Sequence, residues 1–284
     1  MDTNELIPMQ VTDKKVVLFV DLLGFASLTE EYALDHDFIK TSDRPFSSSI
    51  DMMLKSQENP LTRAFTSFHR SLKAQIDLAQ MSHPLTAITF SDSAFIATTY
   101  LFQAANVAVG LVQALLPRLI PVRMGIAHGS FAAVRFRSDV TADGGDHAAH
   151  FLGTGVVRSH ATETCGMKGI RLLLLPSAAS LLNDSAHNPP FSENDRIRYV
   201  ECSAEERSNV AGVRYEIDYW RFRPTAEAEA WHAFQDMWDT APQLALKHYQ
   251  ATAEAINRMR MGQGEPPLNN LRRRTLPRSN SHNT

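Results

Sequence analysis

The chain has 284 residues, 44% of them hydrophobic, and a net charge of −3: enough apolar content for one sizeable core, or for a catalytic domain with an appendage. That charge offers no field for a polyanion, so nucleic acid is not implied as a partner. Two cysteines, Cys165 and Cys202, and an N-terminus (MDTNELIPMQ) unlike a signal peptide point to a reducing, cytoplasmic setting.

An apolar run from Lys15 ends abruptly at a carboxylate, Asp21, and predicts a buried strand (KVVLFVD). Gly24 to Tyr32 should then start a helix whose N-terminal amides face whatever Asp21 binds, a geometry that favours phosphate. Residues 35–60 are polar and irregular and predict an inserted loop carrying at most a short helix from Ser49 to Leu54. Leu61 to Met81 places Leu61, Phe65, Phe68, Leu72 and Ile76 at helical spacing. Thr86 to Phe90 and Ala94 to Thr99 predict two strands, with Asp92 at the tip of the hairpin that joins them.

The longest apolar stretch, Ala104 to Val122, is interrupted by Gln113, Pro117 and Arg118, which suits a core helix from Phe102 to Leu119 and argues against direct membrane insertion. Val122 to His128 and Ser130 to Phe136 predict an antiparallel pair turning at Gly129. A glycine-bearing turn at Phe151 to Gly155 leads into a short helix from Val156 to Thr164, which presents Arg158, His160 and Glu163. Ile170 to Leu175 predicts a buried strand, Ser177 to Asn183 a short helix, and Arg196 to Cys202 and Val213 to Phe222 further strands. The expected fold is α+β and ferredoxin-like, one antiparallel sheet with helices packed on one face.

After Pro224 the character changes. Thr225 to Asp239, with Thr225 as cap, and Pro242 to Met261 predict two C-terminal helices that either fold back on the domain or pack on a partner subunit. The division expected is a catalytic domain over 1–224, C-terminal helices over 225–262 and a disordered basic tail over 263–284.

Two acids at adjacent strand ends, Asp21 and Asp92, are an arrangement that holds divalent cations against a phosphate. No G-x-x-x-x-G-K loop, G-x-S-x-G turn or C-x-x-C pair competes with that reading. In this light FVDLLGFASLTE resembles the first metal motif of class III nucleotidyl cyclases, and TFSDSAFIATT resembles their second. VRMGIAHGSFAAV is similar to the glycine-containing hairpin that follows, and HFLGTGVVRSHATETCGMKGI to a diverged form of the last motif. The match runs in order from Lys15 to Leu175.

The resemblance implies two Mn²⁺ or Mg²⁺ ions per site, with Asp21, Asp92 and the carbonyl of Leu22 as metal ligands. It implies attack of a ribose 3′-hydroxyl on the α-phosphorus of a nucleoside triphosphate, expelling pyrophosphate. It also implies a homodimer with two sites at its interface, because each chain carries one copy of every motif. Phe25, Ile88, His150, Arg158 and Lys168 fall at substrate-binding positions. Arg158 is placed to supply a catalytic guanidinium, and Lys168 lies near the family's phosphate-binding lysine.

The departures carry the specificity argument. Where the family's purine readers stand, this chain has Ile88 and His150; at the transition-state Asn and Arg positions it has Val157 and Ala161. Intact metal aspartates without purine readers resemble the pyrimidine cyclases of bacterial Pycsar anti-phage defence. Those enzymes make cyclic UMP or cyclic CMP as a signal for a separate effector protein. For this chain UTP is the substrate we favour, with CTP as the alternative. Two readings from other classes stand beside it: a non-catalytic nucleotide-binding module, and a self-associating scaffold working through Trp231, Trp238 and the basic tail. A diguanylate cyclase is disfavoured because no G-G-D/E-E-F-like turn stands at Ser91-Asp92-Ser93.

Overall fold

Strand β1 spans Leu6–Leu22 and pairs along its length with β4, Val122–Phe136, in a central antiparallel ladder. The structure, a computed structural model, describes residues 6–32, 59–136, 150–189, 197–209 and 212–268. The expected loop at 35–60 up to residue 58, its short helix, and all of 137–149 lie outside the described residues. Asn59 and Pro60 are described and start a helix.

In chain order β1 is followed by α1 (Phe25–Glu31), α2 (Pro60–Gln80), β2 (Thr86–Thr89), β3 (Ser93–Thr98), α3 (Leu101–Leu115) and β4. Then come β5 (His150–Leu152), α4 (Thr154–Glu163), β6 (Leu172–Leu174), α5 (Pro176–Ala179), β7 (Tyr199–Glu201), α6 (Ala204–Asn209) and β8 (Tyr215–Ile217). Two long helices, α7 (Pro224–Thr240) and α8 (Leu246–Gly262), close the order. The sheet runs β2-β3-β1-β4-β6-β8-β7, with β5 pairing off β4.

Three features differ from the sequence reading. Gly129 is not a turn: β4 is one continuous strand, because β1 reaches back to Leu6 and supplies a partner throughout, Lys15 opposite Gly129. The glycine is needed instead for close approach, since a Cβ there would lie 2.6 Å from Thr154 Oγ1. The sheet is mixed rather than purely antiparallel, because β4 and β6 are parallel through the α4 crossover. Helices also cover both faces rather than one.

Alternation along β1 explains the two faces. Val16, Leu18, Val20 and Leu22 enter the main core with Phe68 and Leu72 of α2, Leu111 of α3, Phe234 of α7 and Ile256 of α8. Val17 and Phe19 enter a smaller cluster with Phe95, Ala97, Phe131 and Ala133. Among the described residues, only α4 lies over that second face. Its first turn is pinned by a reciprocal pair of bonds, Thr154 N–H to Ser130 Oγ at 2.9 Å and Ser130 N–H to Thr154 Oγ1 at 3.0 Å. Its last turn lies against Gly125, where a Cβ would stand 2.3 Å from the Ser159 carbonyl and 2.5 Å from the Glu163 amide.

The C-terminal helices fold back on their own chain. Trp231 stacks on Phe234, which belongs to the main core, while Leu244 stays exposed. Helix α7 starts at Pro224 with Arg223 as its cap and no side-chain cap bond, so Thr225 is not the cap. Residues 263–268, expected in the tail, are packed: Gln263 Nε2 donates to Asp218 Oδ2 at 2.7 Å, and the Leu268 amide to Asn257 Oδ1 at 2.8 Å. The rest of the tail lies outside the described residues. The far end of the sheet is tied by a buried charge network, in which Arg171 contacts Glu216 and Glu206, each at 2.5 Å, and Arg258 reaches the same two carboxylates at 3.0 and 3.1 Å. No helix among the described residues is long and apolar enough to cross a membrane.

Gly125→Ala is expected to push α4 off the sheet at a cost of about 1–3 kcal/mol, because the obstructing atoms are backbone and cannot swing aside. A urea midpoint equal to that of the unsubstituted chain would show that the contact is not tight.

Candidate active site

The ends of three neighbouring strands converge. Asp21 is the penultimate residue of β1, with Ser93 of β3 opposite on one side and Arg123 of β4 on the other. The Leu22 amide donates to the Asp92 carbonyl at 2.9 Å, so the backbone joins the two acid-bearing segments directly. The Leu23 amide donates to the Pro121 carbonyl at 3.0 Å, which fixes the exit from β1 to the entry of β4. Asp92 sits in the tight turn closed by Phe90 N–H to Ser93 O at 2.8 Å, and accepts from the Ser91 hydroxyl at 3.1 Å.

Charge in this corner is unbalanced. Arg123, opposite Asp21 in register, is held by Glu163 at 2.5 Å and donates to the Met167 carbonyl at 3.2 Å. The Asp21 side chain is left half-buried, facing the buried Glu163 and Asp92, and among the described residues its carboxylate makes no hydrogen bond or ion pair. Burial first, then the charges of Glu163 and Asp92, push its carboxyl up to about 7, against a smaller opposing pull from Arg123. A carboxylate so placed gains most from a cation brought from outside.

The donor set fits a hard divalent cation. Among the described residues no three His, Cys, Asp or Glu side chains stand together as a self-sufficient metal cluster. Two carboxylates with room for phosphate oxygens suit Mg²⁺ or Mn²⁺, which keep part of their shell for water and substrate; they do not suit a closed zinc site.

The other expected site residues divide by position. Phe25 opens α1 and packs half-buried against the main core. Ile88 lies on the edge strand β2 opposite Phe95, on the face that carries Phe19 and Asp21. Lys168 stands at the Asp21 end: with burial as the main cause, it joins Arg123 in holding the His248 imidazole below its ordinary value. Arg158 does not reach the acids within one chain. Its guanidinium donates to the His128 carbonyl at 3.3 Å, five residues along β4 from Arg123 and so about 16 Å away at strand rise. His150 lies on β5, paired with Val134 of β4, next to Phe151, whose ring packs 5.1 Å from that of Phe95. His160 packs its ring 5.0 Å from Phe19.

The sequence reading missed Arg123 and took Glu163 only as a residue presented by its helix. Glu163 is instead buried, and the two form the ion pair that shapes the field at Asp21. The available signal was an arginine inside the otherwise apolar VRMGIAH.

The pH dependence follows from the proton balance. Asp21 titrates near 3.8 when unfolded and near 7 when folded, so the folded state binds the proton more tightly. Its contribution to stability therefore falls as pH rises from about 4 to about 7 and stays at its lowest above. Asp21→Asn is expected to melt higher than the unsubstituted chain at pH 8, by about 2–4 °C per kcal/mol of relieved repulsion, with the gap closing towards pH 4. Mn²⁺ should raise the midpoint of the unsubstituted chain and not that of Asp21→Asn; equal shifts in both would place the cation elsewhere.

No family model matches the chain, and no curated protein matches it. Solved structures similar to it include a bacterial light-regulated adenylyl cyclase, at 11% identity and a TM-score of 0.45 over 82% of this chain and 58% of that one. The adenylyl cyclase CyaB from P. aeruginosa is similar at 16% identity and a TM-score of 0.43, over 76% of this chain and 98% of that one. Adenylate cyclases from Trypanosoma brucei give 14% identity and a TM-score of 0.44, over 73% and 89%. The chain thus spans little more than half the length of the light-regulated enzyme. At these identities and scores, the functional argument rests on the geometry of the strand ends themselves.

Proposed function

We propose that the protein is a pyrimidine nucleotide cyclase that converts UTP to 3′,5′-cyclic UMP and pyrophosphate. In this reading it makes a second messenger for a separate effector protein in Pycsar-type antiviral defence. The observation that carries the cyclase reading is the pair Asp21 and Asp92, joined through the Leu22 amide at adjacent strand ends and denied the neighbouring Arg123 by Glu163.

When bound there, two Mg²⁺ or Mn²⁺ ions would lower the pKa of the ribose 3′-hydroxyl and neutralise the triphosphate. The chain's own part is to hold and orient. Asp21 and Asp92, with the Leu22 carbonyl, supply oxygen ligands on a rigid sheet. The 3′-oxygen forms its bond to the α-phosphorus as the bond to the β-phosphate bridging oxygen breaks, pyrophosphate leaves, and the hydroxyl proton passes to solvent. Lys168 lies at the same end to attract the leaving phosphates, and Arg158 supplies a fork for phosphoryl oxygens.

Support for a homodimer comes from the separation within one chain. Arg158 lies about 16 Å along β4 from the level of the acids, so a site using both needs a second copy turned end for end. The thinly covered face, with Phe90 45% and Val157 68% exposed, is the surface we assign to that contact. Ile88, on the same face, offers no polar edge to a purine; the loss of purine readout is what supports a pyrimidine, and UTP is our choice over CTP. A non-catalytic nucleotide-binding module is the second reading, favoured by the exposed apolar Val157 where the resembling family has a transition-state amide.

Incubation with each of the four nucleoside triphosphates and Mn²⁺, with the cyclic product identified by mass, decides between them. Cyclic UMP as main product is expected; pyrophosphate release from none of the four would leave the binding module. Asp21→Asn and Asp92→Asn should each lower kcat by ~10²-fold or more. Mixing inactive Asp21→Asn with inactive Arg158→Ala should restore about half the activity per mixed dimer, since one of its two sites then carries neither defect. No recovery despite proven exchange would exclude shared sites.

A further inference from the structure

On the main-core side of the sheet, between α2 and the turn that follows α3, lies a cavity of about 470 Å³ whose lining is strongly basic. Arg63, Ser67, Arg70 and Ser71 stand at i, i+4, i+7 and i+8 on one side of α2, and Arg118 faces them from the turn. The Arg118 guanidinium is anchored on the Ala114 carbonyl at the end of α3. Among the described residues none of the three arginines forms an ion pair with a carboxylate, although Lys73 on the same helix pairs with Asp77. Three like charges around one concavity repel one another, and an anion inside it removes that cost. Guanidinium forks flanked by hydroxyls match phosphoryl oxygens better than any other common anion.

We propose that this cavity is a second anion site, for a small ligand bearing an oligophosphate group. Its walls lead to both acid-bearing segments. From α2, the imidazole of His69 contacts the Ser91 carbonyl at 3.2 Å, next to Asp92. From the turn, Leu119 holds a left-handed backbone at φ 63°, and the Pro121 carbonyl two residues on receives the Leu23 amide beyond Asp21. A ligand drawing α2 and this turn together therefore acts on both acids at once and serves as a regulatory input. That regulatory role rests on the proposed reading of Asp21 and Asp92; the binding itself does not.

The test is tripolyphosphate binding by calorimetry to the full chain in EDTA, at ionic strength held constant with NaCl, so that metal-dependent binding at Asp21 is absent. The unsubstituted chain and Asp21→Asn should bind alike, and the double variant Arg70→Ala/Arg118→Ala should bind at least tenfold more weakly. Arg70, Arg118 and Lys73 are exposed, so the fold is expected to persist when they are replaced. Lys73→Ala removes one charge from the same helix outside the cavity and should leave binding unchanged. No saturable binding up to about 10 mM overturns the site. So does equal weakening by Lys73→Ala, which would reduce the effect to a general field, or loss of binding in Asp21→Asn, which would move it to the strand ends. For the regulatory role, inorganic phosphate should change turnover in the unsubstituted chain and not in the double variant; no change in either overturns that role alone.

Discussion

Everything at the strand ends depends on which acid Arg123 serves. The ladder register sets it beside Asp21, yet its guanidinium is held by Glu163 of α4 and by a backbone carbonyl. Had it paired with Asp21, that carboxylate would already hold its counter-charge. Instead the last turn of α4 holds the arginine aside, and the carboxyl on β1 faces two other acids in a half-dry setting. Folded proteins tolerate such local imbalance where an external partner is to supply the missing charge, and the rest of the structure offsets its cost.

The sheet makes that tolerance affordable by treating its two faces differently. On one, four long helices bury a continuous apolar core. On the other, the described residues place one ten-residue helix, so close that glycine is required beneath it, beside the aromatic cluster of Phe90, Phe95 and Phe151. Stability and chemistry are thus allotted to opposite sides of the same strands. The far end is fixed by Arg171, Arg258, Glu206 and Glu216, a network breaking of which would leave charge stranded in the interior.

Much of this was legible from residues alone because the signals were local. An apolar run that stops at Asp21, and a hairpin that carries Asp92, announce themselves by the abruptness of the charge; helical spacing found α2 and the two C-terminal helices. What was not legible depended on pairing between distant segments. Gly129 has the look of a turn residue, and only the partner strand reaching back to Leu6 makes it mid-strand. That stretch of β1 escaped notice because Leu6 and Val11 are exposed and little of it is buried. The parallel pairing of β4 with β6 has no periodicity of its own, since parallel and antiparallel strands carry the same alternation. Gln263 to Leu268 have too little apolar content to predict order; hydrogen bonds to Asp218 and Asn257 hold them instead.

The central ladder has two unequal halves. From Lys15 to Leu22 its residues are sealed between helices, whereas from Leu6 to Thr12 the pairing is shifted by two bulges, each adding one residue to β1. The outer half continues as a three-stranded ribbon with β5, and Phe131 and Ala133 are its main buried apolar anchors. One strand therefore spans two regimes of local stability. Its inner amides are expected to exchange hydrogen only when the whole domain opens, and its outer amides through fraying of the ribbon alone. The bulge between Thr12 and Lys15 marks the boundary at which a continuous backbone passes from the cooperative unit into a separately opening one.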